Sequence, residues 1–345
     1  PFPLLRGRGI KGDRVQVNKI EVVGLGALNI DRIHQVDRIL ADGEAVVNKV
    51  ASSPGGSAAN TIYGLAKLGA RCGFIGTTGD DAEGKIMLRD FQKVGVDTSQ
   101  IKIKPGGKTG SVLCLSDRLG QRSLYVVPGA NNQLGMDDLD LTYINQARML
   151  HISSFAGNKQ FQMTLELIQR LDSPVNVSFA PGALYTAKGL TTLSPILART
   201  YVLFANRDEI RQLTGQDVIS GAETCLEQGC HIVAVTLGKG MTLQMGKGTS
   251  QREVPAVAYI KDAENEYIIE SAIREAVAEV DTTGAGDAFA AGFLYGLLNH
   301  KQPVECAQLG SIVARFSIAK LGTRQGFPTL AQLSQRYQQL YDKQL

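Results

Sequence analysis

The chain has 345 residues, of which 43% are hydrophobic and 20% charged; a globular chain of that length buries roughly three quarters of its unfolded surface and needs no disulfide or metal to hold it. Its 36 Lys and Arg against 33 Asp and Glu leave a net charge of +3, spread along the chain, which excludes a basic stripe for nucleic acid, where several phosphates must be neutralised together. No apolar run approaches the roughly 20 residues that span a bilayer, so the expectation is a cytoplasmic protein with neither membrane nor nucleic acid as partner.

Residues 1–18 carry Arg6, Arg8, Lys11 and Arg14 against Asp13 alone, without an apolar stretch, and read as a loose, solvated leader rather than a secretory signal. Residues 19–345 read as a single domain. A short β-branched run over 20–26, ended by glycine, predicts a buried strand. Residues 57–69 predict a helix with Ser57 at its start and Gly69 at its stop. A second strand follows at 74–76, and then a helix carrying Ile86, Leu88, Phe91 and Val94, stopped by Gly95. Further strands are expected at 175–180, 201–205 and 232–236, with a helix at 221–228 between them. The last third holds helices at about 286–298 and 304–320. Strands alternating with helices of this length predict an α/β fold with a mainly parallel sheet covered on both faces.

Two stretches break that rhythm. Residues 34–53 and 108–127 alternate apolar and polar side chains, and the second contains an Asp117–Arg118–Leu119–Gly120 turn. They predict antiparallel strands of a small lid, placed within about 32–54 and 105–127. The segment 261–280 has six Asp and Glu against two Lys and Arg and reads as a helix-prone surface insertion.

The five cysteines are scattered, with no C-x-x-C pair, and read as free thiols in a reducing cytoplasm. The four histidines lie too far apart to suggest a zinc site. Two nucleotide motifs are near misses. Gly24 and Gly26 begin a dinucleotide fingerprint, but Asn29 replaces its third glycine. Residues 79–86 imitate a P-loop, yet end in Ile86, which has no hydroxyl for Mg2+, and place three carboxylates where phosphates would lie.

Residues 280–290 are more informative. A loop with Gly284, Ala285 and Gly286 opens a helix whose first-turn N–H groups and dipole favour an anion. Asp287 stands where a carboxylate could take the proton of an attacking hydroxyl; the alternative is a helix cap. Gly55 and Gly56 open another helix and permit close approach of a ligand. Asn29 and Asp31, read as ending the first strand, offer an amide and a carboxylate to vicinal hydroxyls, the alternative being ordinary turn residues.

Together, residues 55–61, 76–84 and 281–289 resemble the ribokinase/PfkB family of carbohydrate and nucleoside kinases, and the resemblance runs over about 19–335. It implies a ribokinase-like three-layer α/β/α sandwich with a small β-strand lid, and ATP-dependent phosphorylation of a primary hydroxyl of a sugar, or of the ribose 5′-hydroxyl of a nucleoside. It implies Asp287 as general base, an anion hole at Gly284, Ala285 and Gly286, and acceptor contacts from Asn29, Asp31, Gly55, Gly56 and Asn60. The nucleotide would meet Asn206, Thr236, Gly238 and Gly240. Mg2+ would be held through water by Glu209 of an N-x-x-E motif, and a monovalent cation such as K+ by Asp281 and Thr283. Pairing of two lids into a homodimer is also implied, with Val46, Val47 and Val50 as its apolar contacts.

Ala180 departs from the family, many of whose members carry Asp there. Ser57–Ala58–Ala59 is similar to nucleoside kinases, whereas residues 127–132 are similar to ribokinases, so the acceptor stays open between the two. A non-catalytic sensor is the remote rival.

Overall fold

Val22 and Val23 are adjacent in β1 (Val22–Leu25), face opposite ways, and are both fully buried. A strand apolar on both faces must have helices on both sides. The structure, a computed structural model, describes residues 20–118, 121–245, 252–270 and 280–345; the leader expected at 1–18 lies outside them. The other strands described are β2 (Asn29–Val36), β3 (Val47–Gly55), β4 (Cys72–Gly79), β5 (Ile101–Lys104), β6 (Gly110–Ser116), β7 (Arg122–Val127), β8 (Met149–Ser153), β9 (Asn176–Ala180), β10 (Thr200–Asn206), β11 (Ile232–Met245), β12 (Arg252–Asp262) and β13 (Glu266–Glu270).

A nine-stranded sheet runs in the order β13-β12-β11-β10-β9-β8-β1-β4-β5. All pairs from β11 to β5 are parallel, and β12 and β13 add an antiparallel edge. On one face Val22, Phe74 and Phe204 pack with Phe289 and Phe293, whose rings meet Phe204 edge-on. On the other face Val23, Leu25, Ile75, Leu150 and Phe179 form a second core.

The helices Ala285–Leu298 and Pro303–Ile318 approach closely because glycines line their contact. A Cβ at Gly292 would lie 2.7 Å from the Leu309 carbonyl oxygen, and one at Gly310 2.8 Å from that of Phe289. Backbone rather than side chain fills that space.

A four-stranded sheet, in the order β3-β2-β6-β7, stands apart from the large one. Its pairing is antiparallel except between β2 and β6, which are parallel. The expectation of wholly antiparallel strands is corrected there, because the chain leaves β2 and β3 for two helices and the strands β4 and β5 of the large sheet before returning. Asn29 and Asp31 do not end the first strand. They lie on β2, opposite Gly55 and Ser53 of β3. Residues paired across a sheet share a face: Asp31 with Val112, and Ile33 with Cys114, are buried on the inner face. Val50, Leu113 and Tyr125 lie on the outer face, 62%, 38% and 58% exposed.

Two further differences have local causes. The strand expected at 232–236 runs on to Met245 after a register shift between Thr236 and Met241. The described part of the acidic segment is sheet, not helix: Lys261 and Asp262 end β12, and Glu266–Glu270 pairs back onto it. Pairing offered by β12 outweighs the modest helix preference of glutamate. Residues 271–279 lie outside the described part.

Candidate active site

Beyond the carboxyl ends of β9, β10 and the parallel part of β11 lies a cleft of about 490 Å³, the position where open parallel sheets take ligands. Ser57, Ala285, Gly286 and Asp287 line one end. Asn206, Glu209, Thr236 and Gly238 line the middle, and Val257, Ser311, Ala314 and Tyr341 extend it as a mainly apolar slot.

Asp287 belongs to the first turn of the helix Ala285–Leu298, whose N-cap Gly284 has a left-handed backbone, φ 80°. A side chain at Gly284 would be strained there. The Ala285 N–H turns back to the Thr282 carbonyl at 3.3 Å. Asp287 does not serve as a cap: Ser57 Oγ donates to its Oδ1 and Asn60 Nδ2 to its Oδ2, each at 2.8 Å. Ser57, expected to start its helix as a cap, is instead the first helical residue, and its hydroxyl is committed to Asp287. The N-cap is Gly56, at φ 99°, where a Cβ would strike the Ala27 carbonyl oxygen; a Cβ at Gly55 would land on the Asp31 carboxylate. Only glycines let this turn close over Asp31.

Burial pushes Asp287, deep at the cleft floor yet open to solvent on one side, up to about 6, against the opposing pull of the Asn60 and Ser57 hydrogen bonds. Burial likewise raises Asp31 to about 7, with Arg324 opposing and Asp287 and Asp281 reinforcing the rise. Glu209 is also raised, first by burial. It opens the helix Arg207–Thr214 in a reciprocal cap: the Glu209 N–H donates to Asn206 Oδ1, and the Asn206 N–H to Glu209 Oε2. One carboxylate oxygen is thus committed while the group still faces the cleft.

Of the acceptor set, Asn29, Asp31, Gly55, Gly56 and Asn60 gather at the root of the small sheet beside Asp287 rather than along the cleft. Asn131 Nδ2 donates to Asn29 Oδ1 at 2.9 Å. Of the nucleotide set, Asn206, Thr236 and Gly238 line the cleft, and Gly240 lies beyond it in the irregular stretch of β11. Asp281 receives the Thr283 N–H on Oδ1 and the Gly322 N–H on Oδ2, tying two loops together. Among the described residues no cluster of three His, Cys, Asp or Glu is assembled for a metal. A hard cation here would rely on few carboxylates plus phosphate and water, the pattern suited to Mg2+.

Sequence reasoning missed two arginines. Arg122 reaches from β7 to the Thr283 hydroxyl at 3.1 Å, joining the small sheet to the glycine loop. Arg324, 3% exposed, donates through Nε to Asn60 Oδ1 at 2.9 Å, through Nη1 to Asp90 at 2.8 Å and through Nη2 to the Gly55 carbonyl at 3.2 Å. The signal was slight: one cation between the two glycines of the stretch 321–327.

Residues 19–330 match the model of the pfkB family carbohydrate kinases. A sugar kinase of Archaeoglobus fulgidus, itself uncharacterised, is 36% identical over 77% of this chain and 98% of its own length. An ATP-dependent ribose-1-phosphate kinase of Halopiger xanaduensis is 32% identical over 80% of this chain and 84% of its own. Among solved structures, adenosine kinase from Sinorhizobium meliloti superposes with a TM-score of 0.76 at 24% identity, covering 92% of this chain and 99% of that one; that likeness shows the fold.

Proposed function

The chain belongs to the pfkB family of carbohydrate kinases and is an ATP-dependent sugar or nucleoside kinase, and we propose that it phosphorylates a primary hydroxyl of a sugar with Asp287 as general base. The observation that carries this reading is the Asp287 carboxylate, held at both oxygens by Ser57 and Asn60 at the mouth of a glycine-opened helix. The acceptor oxygen attacks the γ-phosphorus, its proton passes to Asp287, and the bond to the bridging oxygen breaks to release ADP. Developing charge on the transferring oxygens meets the helix end at Gly284, Ala285 and Gly286.

Asn29, Asp31, Gly55, Gly56 and Asn60 would hold the acceptor, and Asn206, Thr236, Gly238 and Gly240 the nucleotide. Glu209 would hold Mg2+ through water, and Asp281 with Thr283 a monovalent cation such as K+. Bound Mg2+ would neutralise phosphate charge as the γ-phosphoryl group transfers. The small sheet, bound to the glycine loop through Arg122, would act as a lid on one kinase domain and exclude water that competes as acceptor. The outer face of that sheet would pair two copies into a dimer. All five cysteines are buried free thiols, and no described helix is long and apolar enough to cross a membrane; both suit a cytoplasmic enzyme.

A second reading is favoured by one feature of the sequence: Ser57, Ala58 and Ala59 after the paired glycines are similar to nucleoside kinases, and the acceptor would then be the ribose 5′-hydroxyl of a nucleoside. ADP release from Mg-ATP is to be measured with ribose, ribose 1-phosphate, fructose, fructose 6-phosphate, adenosine, inosine, cytidine and no acceptor. Turnover with one class names the acceptor. Asp287→Asn is expected to lower kcat roughly 10²–10⁴-fold with ATP binding kept; near-normal turnover by that variant would remove Asp287 as the base.

A further inference from the structure

Asn60 bridges two groups of opposite demand. Its Nδ2 donates to Asp287 Oδ2 and its Oδ1 accepts from Arg324 Nε. An amide can turn its two ends over at little steric expense, and either end would fit the same space. What prevents the exchange is that Arg324 has only donors to offer: a flipped amide would set N–H against N–H there and carbonyl against carboxylate at Asp287. Arg324 is itself held on all sides. Its other nitrogens bond Asp90 and the Gly55 carbonyl, and its guanidinium lies over the rings of Phe91 and Tyr63, 5.0 and 5.3 Å from their centres. It thereby joins the helix Ala82–Lys93 to the end of β3 and to the helix Ser57–Lys67, which carries Asn60.

We infer that Arg324, anchored by Asp90, is a positioning residue that fixes the Asn60 amide so that its N–H, not its carbonyl, meets the Asp287 carboxylate. The inference rests on Asp287 being the general base. Arg324 touches neither that carboxylate nor the cleft. Its effect passes through Asn60, and its positive charge adds a second, weaker pull in the same direction.

The charged and titratable groups around Asp287 come from several elements. Asp31 belongs to β2, Arg122 to β7, Glu209 to the helix Arg207–Thr214, Asp281 to the preceding loop and Arg324 to the loop after the helix Pro303–Ile318. Removing Arg324 takes away a cation that favours the ionised carboxylate, as Arg122 also does, and frees the amide to rotate. Both changes disfavour the ionised base, so the acidic limb of activity must move to higher pH. Loss of packing alone would lower the amount of active enzyme without moving that limb.

The experiment compares wild type with Arg324→Gln, Arg324→Lys and Asp90→Asn, each as full chain, over pH 5 to 9 with an acceptor identified by ADP release. Arg324→Gln is expected to lower kcat about 10-fold, to leave the KM for ATP within about twofold, and to raise the acidic limb by about one pH unit. Arg324→Lys keeps a charge and one donor and recovers part of both effects. Asp90→Asn moves the limb less, in the same direction, and decides the matter if Arg324→Gln does not fold. Repeating the profile on Asp31→Asn separates the two carboxylates: a shift that persists there belongs to Asp287, and one that vanishes overturns the inference. A folded Arg324→Gln with an unmoved limb overturns it too. Asp287→Asn stands as the independent check: its turnover tests the base itself, and if that is lost while the limb of the Arg324 variants stays still, only the positioning role has failed.

Discussion

Asp31 and Asp287 are two carboxyls kept close together in a buried corner, and their titration belongs to the stability of the fold as well as to chemistry. Burial raises both above the ordinary carboxyl value of 3.8, to about 7 and about 6. The folded chain therefore binds more protons than the unfolded one between about pH 4 and pH 7. Their effect on stability is most favourable below that window and is lost as pH rises through it. Asp31→Asn in the nucleotide-free protein is expected to raise the melting temperature at pH 8 by about 2 °C, the gain closing toward pH 4. A variant that melts lower than wild type at pH 8 would show that the Arg324 charge, not burial, dominates at Asp31. His151 shows the opposite outcome of burial: wholly enclosed in β8 beside Ser178, it is driven down to about 3 and stays neutral.

At the scale of elements, the helix carrying Asp287 is placed by its contact with the helix Pro303–Ile318, and glycine decides how close that contact is. Gly292→Val improves helix propensity by a few tenths of a kcal/mol. The added side chain would meet the Leu309 carbonyl and the Gly310 backbone, at 2.7 and 2.8 Å from its Cβ, and backbone cannot rotate away. Overpacking of about 1–3 kcal/mol therefore wins. Urea denaturation should show a lower midpoint with an unchanged slope; an unchanged midpoint would mean that the two helices separate freely. Much of this level was legible in the sequence. The helices over 57–69 and 286–298 and the strands of the parallel sheet follow from apolar period and glycine stops, which are local. The acidic stretch after residue 261 was not legible, because its strand exists only where β12 presents an open edge to pair with.

For the molecule as a whole, the small sheet divides its side chains by face, with Asp31, Ile33, Val112 and Cys114 inward and Val50, Leu113 and Tyr125 outward. An apolar outer face on a sheet with two free edges favours association. Light scattering at micromolar concentration is expected to give the mass of a dimer, and Leu113→Asp with Tyr125→Asp that of a monomer; a monomeric wild type would remove the lid-to-lid pairing. The kinase glycine loops, the N-x-x-E segment and Asp287 itself could be found from residue order, since backbone turns and helix ends are written in runs of a few neighbouring residues. The partners of Asp287 could not. Asn60 lies 227 positions from it, and Arg324 lies 264 from Asn60. Which side chains share a buried corner depends on how helices and strands far apart in the chain pack, and burial then sets the charge each one carries.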